Sequence, residues 1–248
     1  MDVAVERERD PGGTPPPAVR PPGLLGRLVR QERDAWRRHY RRYAKYAARA
    51  LGVGFVAGFL FFTVWPDQEK RALQLVVRAL EDIRLGGPPL VLALTLFYHN
   101  ARASVVAVAA GAVPFLFLPI LDPLVNGGVL GLLVSIAKHQ GLDVPRLVLT
   151  QVLPHGVFEL AAVVYATGLG LYLSAETGKR VKAAWRARGG RTGTQTGTCT
   201  CGTCPPSGSG PVAPASPVRN VVRSFFLVVL PLLLVAAAVE GFITPRLR

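Results

Sequence analysis

A histidine and a glutamate stand four residues apart inside an apolar stretch of the sequence, LPHGVFELAA. At that spacing His155 and Glu159 share one face of a helix and can hydrogen-bond each other. Such a pair can relay protons inside a membrane, or it can lock two helices together and do nothing else. It supplies only two metal ligands, whereas catalytic zinc sites use three. Gly156, between the two residues, predicts close approach of a neighbouring helix.

Other apolar stretches also contain isolated polar residues. Arg102 is a permanent cation, so it either pairs with Glu159 or Glu240 or extends to the membrane edge. Asn126 precedes two glycines and can hydrogen-bond across helices. The sequence predicts that six polar residues, with a structural or functional role, cluster within the membrane: His155, Glu159, Asn126, Arg102, Asn100 and Glu240. The predicted helix-packing glycines are Gly127, Gly131 and Gly156.

Motifs of common enzymes are missing from the sequence. Neither HExxH, GxSxG nor a glycine-rich phosphate loop with lysine occurs. We therefore expect a non-enzymatic protein with no catalytic residue and no cofactor; an intramembrane hydrolase using His155 and Glu159 is the alternative. The three cysteines offer three thiols where a structural zinc site needs four ligands, so we expect a reduced linker without metal: Cys199, Cys201 and Cys204.

Composition indicates a membrane protein. Half of the 248 residues (50%) are hydrophobic and only 18% are charged, whereas about a quarter of residues are charged in soluble domains. The 29 Lys and Arg exceed the 15 Asp and Glu. Because the basic residues gather beside the apolar stretches, they favour a membrane surface over nucleic acid as the partner.

The elements that must position these residues are helices. Residues 88–98 are predicted to be a lead-in to the second span, either re-entrant or continuous with a tilted helix. Residues 67–84 have helical spacing of apolar side chains and predict an amphipathic interfacial helix. The fold class is therefore all-α, a polytopic membrane helix bundle. Its five predicted transmembrane helices are 47–65, 103–121, 123–137, 147–174 and 224–244.

Four segments follow from this pattern. Residues 1–46 are predicted to be disordered and then basic; from residue 24 a basic helix either lies at the membrane surface, with tyrosines at headgroup level, or leads solvated into the first span. Residues 47–174 hold helices 1–4, residues 175–220 form a basic and then low-complexity linker, and residues 221–248 hold the fifth helix and a short tail.

The basic residues predict the orientation in the plasma membrane. Residues 1–49 contain 12 Lys and Arg, and residues 175–220 contain 7 with one acid. The predicted segments on the opposite side of the membrane, residues 66–87 and 139–146, are neutral or nearly so. By the positive-inside rule the N-terminus and the linker are cytoplasmic, and with five spans the C-terminus is outside.

Three motifs occur in order on the predicted spans: NGGVLG at 126–131, LPHGVFELAAVVYATGLG at 153–170 and AAAVEGFITP at 236–245. From about residue 92 to 245 the chain resembles the stage II sporulation protein M family of polytopic bacterial membrane proteins. The resemblance implies an integral membrane protein. It also implies a scaffold role, since the founding member looks like a membrane scaffold linked to a complex that remodels peptidoglycan.

Two functions follow as hypotheses. The first is a non-enzymatic scaffold or anchor for a cell-envelope complex, whose partners are the lipid bilayer and other membrane or envelope proteins and not nucleic acid. The alternative is a transporter, or the membrane subunit of one, that uses the buried His, Glu and Arg residues as a path.

Overall fold

The computed structural model describes residues 23–79, 88–189 and 216–243, and the regular structure of these residues is helical throughout. Five helical stretches among them are long and apolar enough to cross a membrane. The predicted all-α membrane bundle is therefore confirmed. In chain order the longer helices are α1 (Leu24–Val64), α2 (Pro66–Ala79), α3 (Pro89–Ala110), α4 (Leu121–His139), α5 (Leu153–Gly189) and α6 (residues 217–243). A short 3-10 helix, Leu118–Ile120, precedes α4, and two short helical segments, Val144–Leu147 and Val148–Val152, lead directly into α5.

Helices α1 and α4 run parallel and in close contact because glycines remove the side chains between them. A methyl group at Gly58 of α1 would lie 2.6 Å from the backbone oxygen of Gly128. At Gly54 of α1 and at Gly127 of α4, a methyl group would overlap the backbone of the facing helix. Gly131 faces the backbone of α1 in the same way. The small residues spaced four apart on α1 therefore form the surface on which α4 packs.

Helix α5 is the central helix of the bundle. Residues 166–174 are all buried, and the helix contacts α1, α3 and α6. Tyr40 and Tyr43 of α1 pack edge-on against Tyr172 of α5, with ring centroids 5.2 and 6.1 Å apart. The basic helix is therefore continuous with the first span, and these two tyrosines are buried inside the bundle. Edge-to-face packing of aromatic rings favours this arrangement.

The second span is Pro89–Ala110 rather than residues 103–121. Residues 89–98, predicted as a lead-in, belong to the helix itself. The helix ends before Pro114, which cannot donate a backbone hydrogen bond and disfavours helical backbone in the residue before it. Phe115 and Phe117 then adopt φ angles of +72° and +47° as the chain turns towards α4.

The amphipathic helix α2 is attached to the end of α4 by polar contacts. Ser135 of α4 donates a hydrogen bond of 2.7 Å to Glu69, and His139 Nδ1 lies 2.9 Å from the same carboxylate oxygen. The predicted interfacial helix is thus observed over Pro66–Ala79, and its predicted end at residues 80–84 lies outside the described residues. The contact fixes α2 against the bundle.

Helix α5 also continues far into the predicted linker. It ends at Gly189, so residues 175–189 are helical, and α6 begins at Pro217. From Lys182 to Arg188 every residue is exposed. We call residues 179–188 of α5 the basic arm. The low-complexity part of the linker, residues 190–215, lies outside the described residues.

Candidate functional site

A hydrogen bond between two polar side chains joins α3 to α5 inside the bundle. The Asn100 amide donates to Oε1 of Glu159 at 3.0 Å, and both side chains are half-buried. Asn100 lies near the middle of α3, at membrane depth. An ionised carboxylate at such a depth is costly unless hydrogen bonds or water stabilise it. The asparagine therefore provides part of what Glu159 needs.

Small residues bring α3 and α5 close enough for this contact. A methyl group at Gly170 would lie 2.7 Å from the backbone oxygen of Ala107, and one at Gly111 would overlap Gly170. Further along, Ser174 donates a hydrogen bond of 3.3 Å to the carbonyl of Val113. The two helices therefore run parallel, and the register fixed by these contacts holds Asn100 opposite Glu159.

The last helical turn of α6 meets the same two helices. The turn Val239–Ile243 contacts both α3 and α5. A methyl group at Gly241 would lie 2.8 Å from the backbone oxygen of Pro89, so glycine permits the close approach to α3. One carboxylate oxygen of Glu240 is buried. The structure thus brings the helical segments that carry Asn100, Glu159 and Glu240 together, and we call these three residues the intramembrane polar cluster.

His155 lies in the first turn of α5, one turn before Glu159. Its side chain lies outside the described part of the structure, and so does the predicted contact with Glu159. Gly156, the predicted packing glycine beside it, is buried. The backbone is helical at both His155 and Glu159, so the i, i+4 relation that the sequence predicts is present in the structure.

Arg102 lies away from the intramembrane polar cluster. Residues two apart on a helix point to different sides, so Arg102 and Asn100 face different surroundings although both lie on α3. Arg102 is exposed and lines a cavity of about 370 Å³ together with Asp122 and His99. The acid that shares its cavity is therefore Asp122, rather than the predicted counter-ions Glu159 or Glu240.

Asn126 bonds within its own helix instead of across helices. Its amide donates to the carbonyl oxygen of Asp122 at 2.9 Å and to the Asp122 carboxylate at 3.2 Å. The i, i+4 spacing on α4 explains this, because the two side chains lie one turn apart on one face. Asp122 was missed in the sequence because it stands beside prolines at the end of a predicted span.

A second polar group near the start of α1 was also missed. Tyr165 of α5 donates a hydrogen bond of 2.7 Å to Glu32, and Arg223 Nε of α6 lies 3.7 Å from the other oxygen of that carboxylate. Trp36 stacks on Tyr165 with ring centroids 5.1 Å apart. The signal available in the sequence was a single glutamate among arginines at the start of an amphipathic helix. These contacts attach the N-terminal part of α1 to α5 and α6.

The described part of the chain contains no candidate metal site. No three His, Cys, Asp or Glu side chains there are grouped closely enough to hold an ion. Cys199, Cys201 and Cys204 lie outside the described residues.

Five apolar helices that bury amide and carboxylate groups between them define a multi-pass helical membrane protein. A family model described as Stage II sporulation protein M matches residues 47–245, a range that includes all of the bundle after the basic start of α1. The chain belongs to the stage II sporulation protein M family. Neither a curated protein nor a solved structure matches it.

Proposed function

We propose that the protein is a non-enzymatic membrane scaffold that anchors partner proteins of the cell envelope. The observation that carries this proposal is the basic arm. Helix α5 has 37 residues, a length of about 55 Å at 1.5 Å per residue. The hydrocarbon core is only about 30 Å thick, so the helix has ample length to present the arm outside the membrane.

The chemistry of the arm favours a protein partner. Trp185 is 73% exposed and is followed by Arg186 and Arg188, which are also exposed. Tryptophan and arginine contribute a disproportionate share of binding energy in protein interfaces. The family resemblance suggests a partner complex of the peptidoglycan-remodelling type.

We infer that the arm lies in the cytoplasm, as the positive-inside rule indicates. The three native cysteines follow the arm in the sequence, between α5 and α6, and so report the side of this segment. A membrane-impermeant maleimide should label the protein in inverted vesicles but not in intact cells. Labelling in intact cells alone would reverse the orientation.

The scaffold proposal predicts partner contacts at the arm. A photo-crosslinking amino acid at position 185 should capture defined envelope proteins in living cells, whereas one at Val53, exposed on the apolar surface of α1, should not. Trp185→Ala with Arg186→Glu should reduce co-purification of the same proteins at least about tenfold, since a single hot-spot side chain contributes about 2 kcal/mol or more. Trp185→Phe is the conservative control. Unchanged co-purification with the double variant would contradict the proposal.

Transport is the second candidate function, and the intramembrane polar cluster favours it, because carboxylates at membrane depth commonly mark solute or proton paths. Protein reconstituted in liposomes would then show pH-dependent flux that Glu159→Gln reduces by an order of magnitude or more. Background-level flux for both proteins would remove this candidate and leave the scaffold proposal intact.

A further inference from the structure

The cavity that Arg102 lines is bounded by the second half of α3 and the start of α4. Its volume is about 370 Å³, and its wall combines three polar side chains with apolar ones. Val106 and Leu121 belong to this wall and are exposed on the outside of the bundle. Because the outside of a membrane bundle faces lipid, the cavity is accessible from the hydrocarbon.

The two charges in this cavity do not neutralise each other. Arg102 and Asp122 both line it, but they do not approach within ion-pairing distance, and the ion pairs found among the described residues are elsewhere. Arg102 carries five N–H donors and no acceptor. A permanent cation on a membrane-spanning helix is stabilised by an anionic partner.

Asp122 retains capacity to accept hydrogen bonds. The Asn126 amide contacts only its Oδ1, at 3.2 Å, whereas a carboxylate offers about four acceptor positions. The cavity therefore presents a fixed cation, a separate carboxylate and an apolar wall.

A ligand that satisfies all three features has an anionic group, a primary ammonium and hydrocarbon chains. Arginine binds phosphate in a bidentate manner, and the carboxylate can accept hydrogen bonds from an ammonium. We propose that the cavity binds the headgroup of a zwitterionic aminophospholipid, with phosphate at Arg102 and ammonium at Asp122. His99 lines the same cavity and is a further polar contact.

The same chemistry predicts discrimination between lipids. A phosphatidylcholine headgroup has a quaternary ammonium without N–H donors, so it cannot hydrogen-bond Asp122. A phosphatidylglycerol headgroup has the phosphate for Arg102 but no cation, and its charge is repelled by Asp122. Both should bind more weakly than phosphatidylethanolamine. This site is independent of the basic arm and goes beyond the scaffold proposal.

The test is lipid binding to the purified full-length protein, measured by native mass spectrometry during titration with phosphatidylethanolamine, phosphatidylcholine or phosphatidylglycerol of identical acyl chains. Wild type should prefer phosphatidylethanolamine about tenfold, since a hydrogen bond to a charged group contributes about that factor. Asp122→Asn should reduce the preference over phosphatidylcholine to about threefold, because the amide oxygen still accepts a hydrogen bond but a neutral acceptor contributes roughly half as much as a charged one. Arg102→Gln should weaken binding of all three lipids, and Arg102→Lys should restore part of it.

Matched controls exchange the same residue types at exposed positions of α1: Asp34→Asn and Arg49→Gln. Circular dichroism and gel filtration establish that each variant is folded. Equal binding of the three lipids by wild type would overturn the proposal, as would an undiminished preference in folded Asp122→Asn. Displacement of the lipid by millimolar soluble phosphoethanolamine would also overturn it, because the site would then recognise a free solute.

Discussion

Gly127→Ala should strongly destabilise the bundle, whereas Gly128→Ala, one residue further along the NGGVLG motif, should be tolerated. A methyl group at Gly127 overlaps the backbone carbonyl of Leu51 on α1. The backbone cannot move aside unless α1 and α4 separate. At Gly128 the nearest atom, the oxygen of Gly54, is 3.9 Å away, which is ordinary van der Waals contact.

The size of the destabilisation depends on whether the added methyl group overlaps side-chain or backbone atoms. Overpacking against side chains typically costs about 1–3 kcal/mol. We expect the Gly127 substitution to reach or exceed about 3 kcal/mol, because the contact is with backbone on a helix that other contacts hold in place. That loss is a large part of the stability of a typical domain, which is about 5–15 kcal/mol.

The measurement is the yield of monodisperse protein after detergent extraction, together with its thermal unfolding. Gly52→Ala on α1 is the second control, since no atom lies within 4 Å of its added methyl group. Gly54→Ala, whose methyl group would overlap α4, should behave like Gly127→Ala. Equal losses at Gly127 and Gly128 would show that the motif serves another purpose than the packing of α1 on α4.

The glycine contacts illustrate how far the sequence predicts this fold. Gly54 and Gly58 are spaced four residues apart in the sequence, a pattern that permits close packing of another helix. The helix that occupies the face was not, because the choice of α4 depends on contacts between residues far apart in the chain. Hydropathy predicts that a helix crosses the membrane, but it carries little information about which helices touch.

The second span shows a different limit. Residues 111–121 are almost entirely apolar, so hydropathy extends the span through them. The backbone ends it at Ala110, because Pro114 and the positive φ angles of Phe115 and Phe117 are incompatible with a continuing helix. A proline inside an apolar run can therefore end a membrane-spanning helix although hydropathy continues beyond it.

The sequence shows which residues of the apolar helices are polar, but it does not show which of them contact each other. The sequence identifies Asn100, Glu159 and Glu240 as costly in a membrane, and the structure places their helical segments together. The structure separates Arg102 from them, since its position on the turn of α3 directs it to the cavity that Asp122 also lines. The angular position of a residue on a helix was available from the sequence, but the rotation of α3 about its axis was not.

Removing the Asn100 amide should destabilise the bundle through Glu159. We expect Asn100→Leu to cost about 1–2 kcal/mol, near the lower end of the range of about 1.5–3 kcal/mol for a hydrogen bond to a charged group. Interhelical hydrogen bonds in membranes average only about 0.6 kcal/mol. The larger value is expected here because the acceptor is a carboxylate. Thr95→Val is the matched control on α3, since the Thr95 hydroxyl bonds only to the carbonyl of Val91 in its own helix.

A double-mutant cycle separates cooperation from simple loss of packing. The free energy of unfolding of wild type, Asn100→Leu, Glu159→Leu and the double variant would be measured by SDS titration in mixed micelles. If the contact of 3.0 Å contributes as proposed, the double variant should lose about 1–2 kcal/mol less unfolding free energy than the two single variants lose together. The reason is that the double variant no longer buries a carboxylate that has lost a hydrogen bond. Additive losses would mean that the two side chains act independently. The same cycle with His155→Ala would test the predicted pairing of that residue with Glu159.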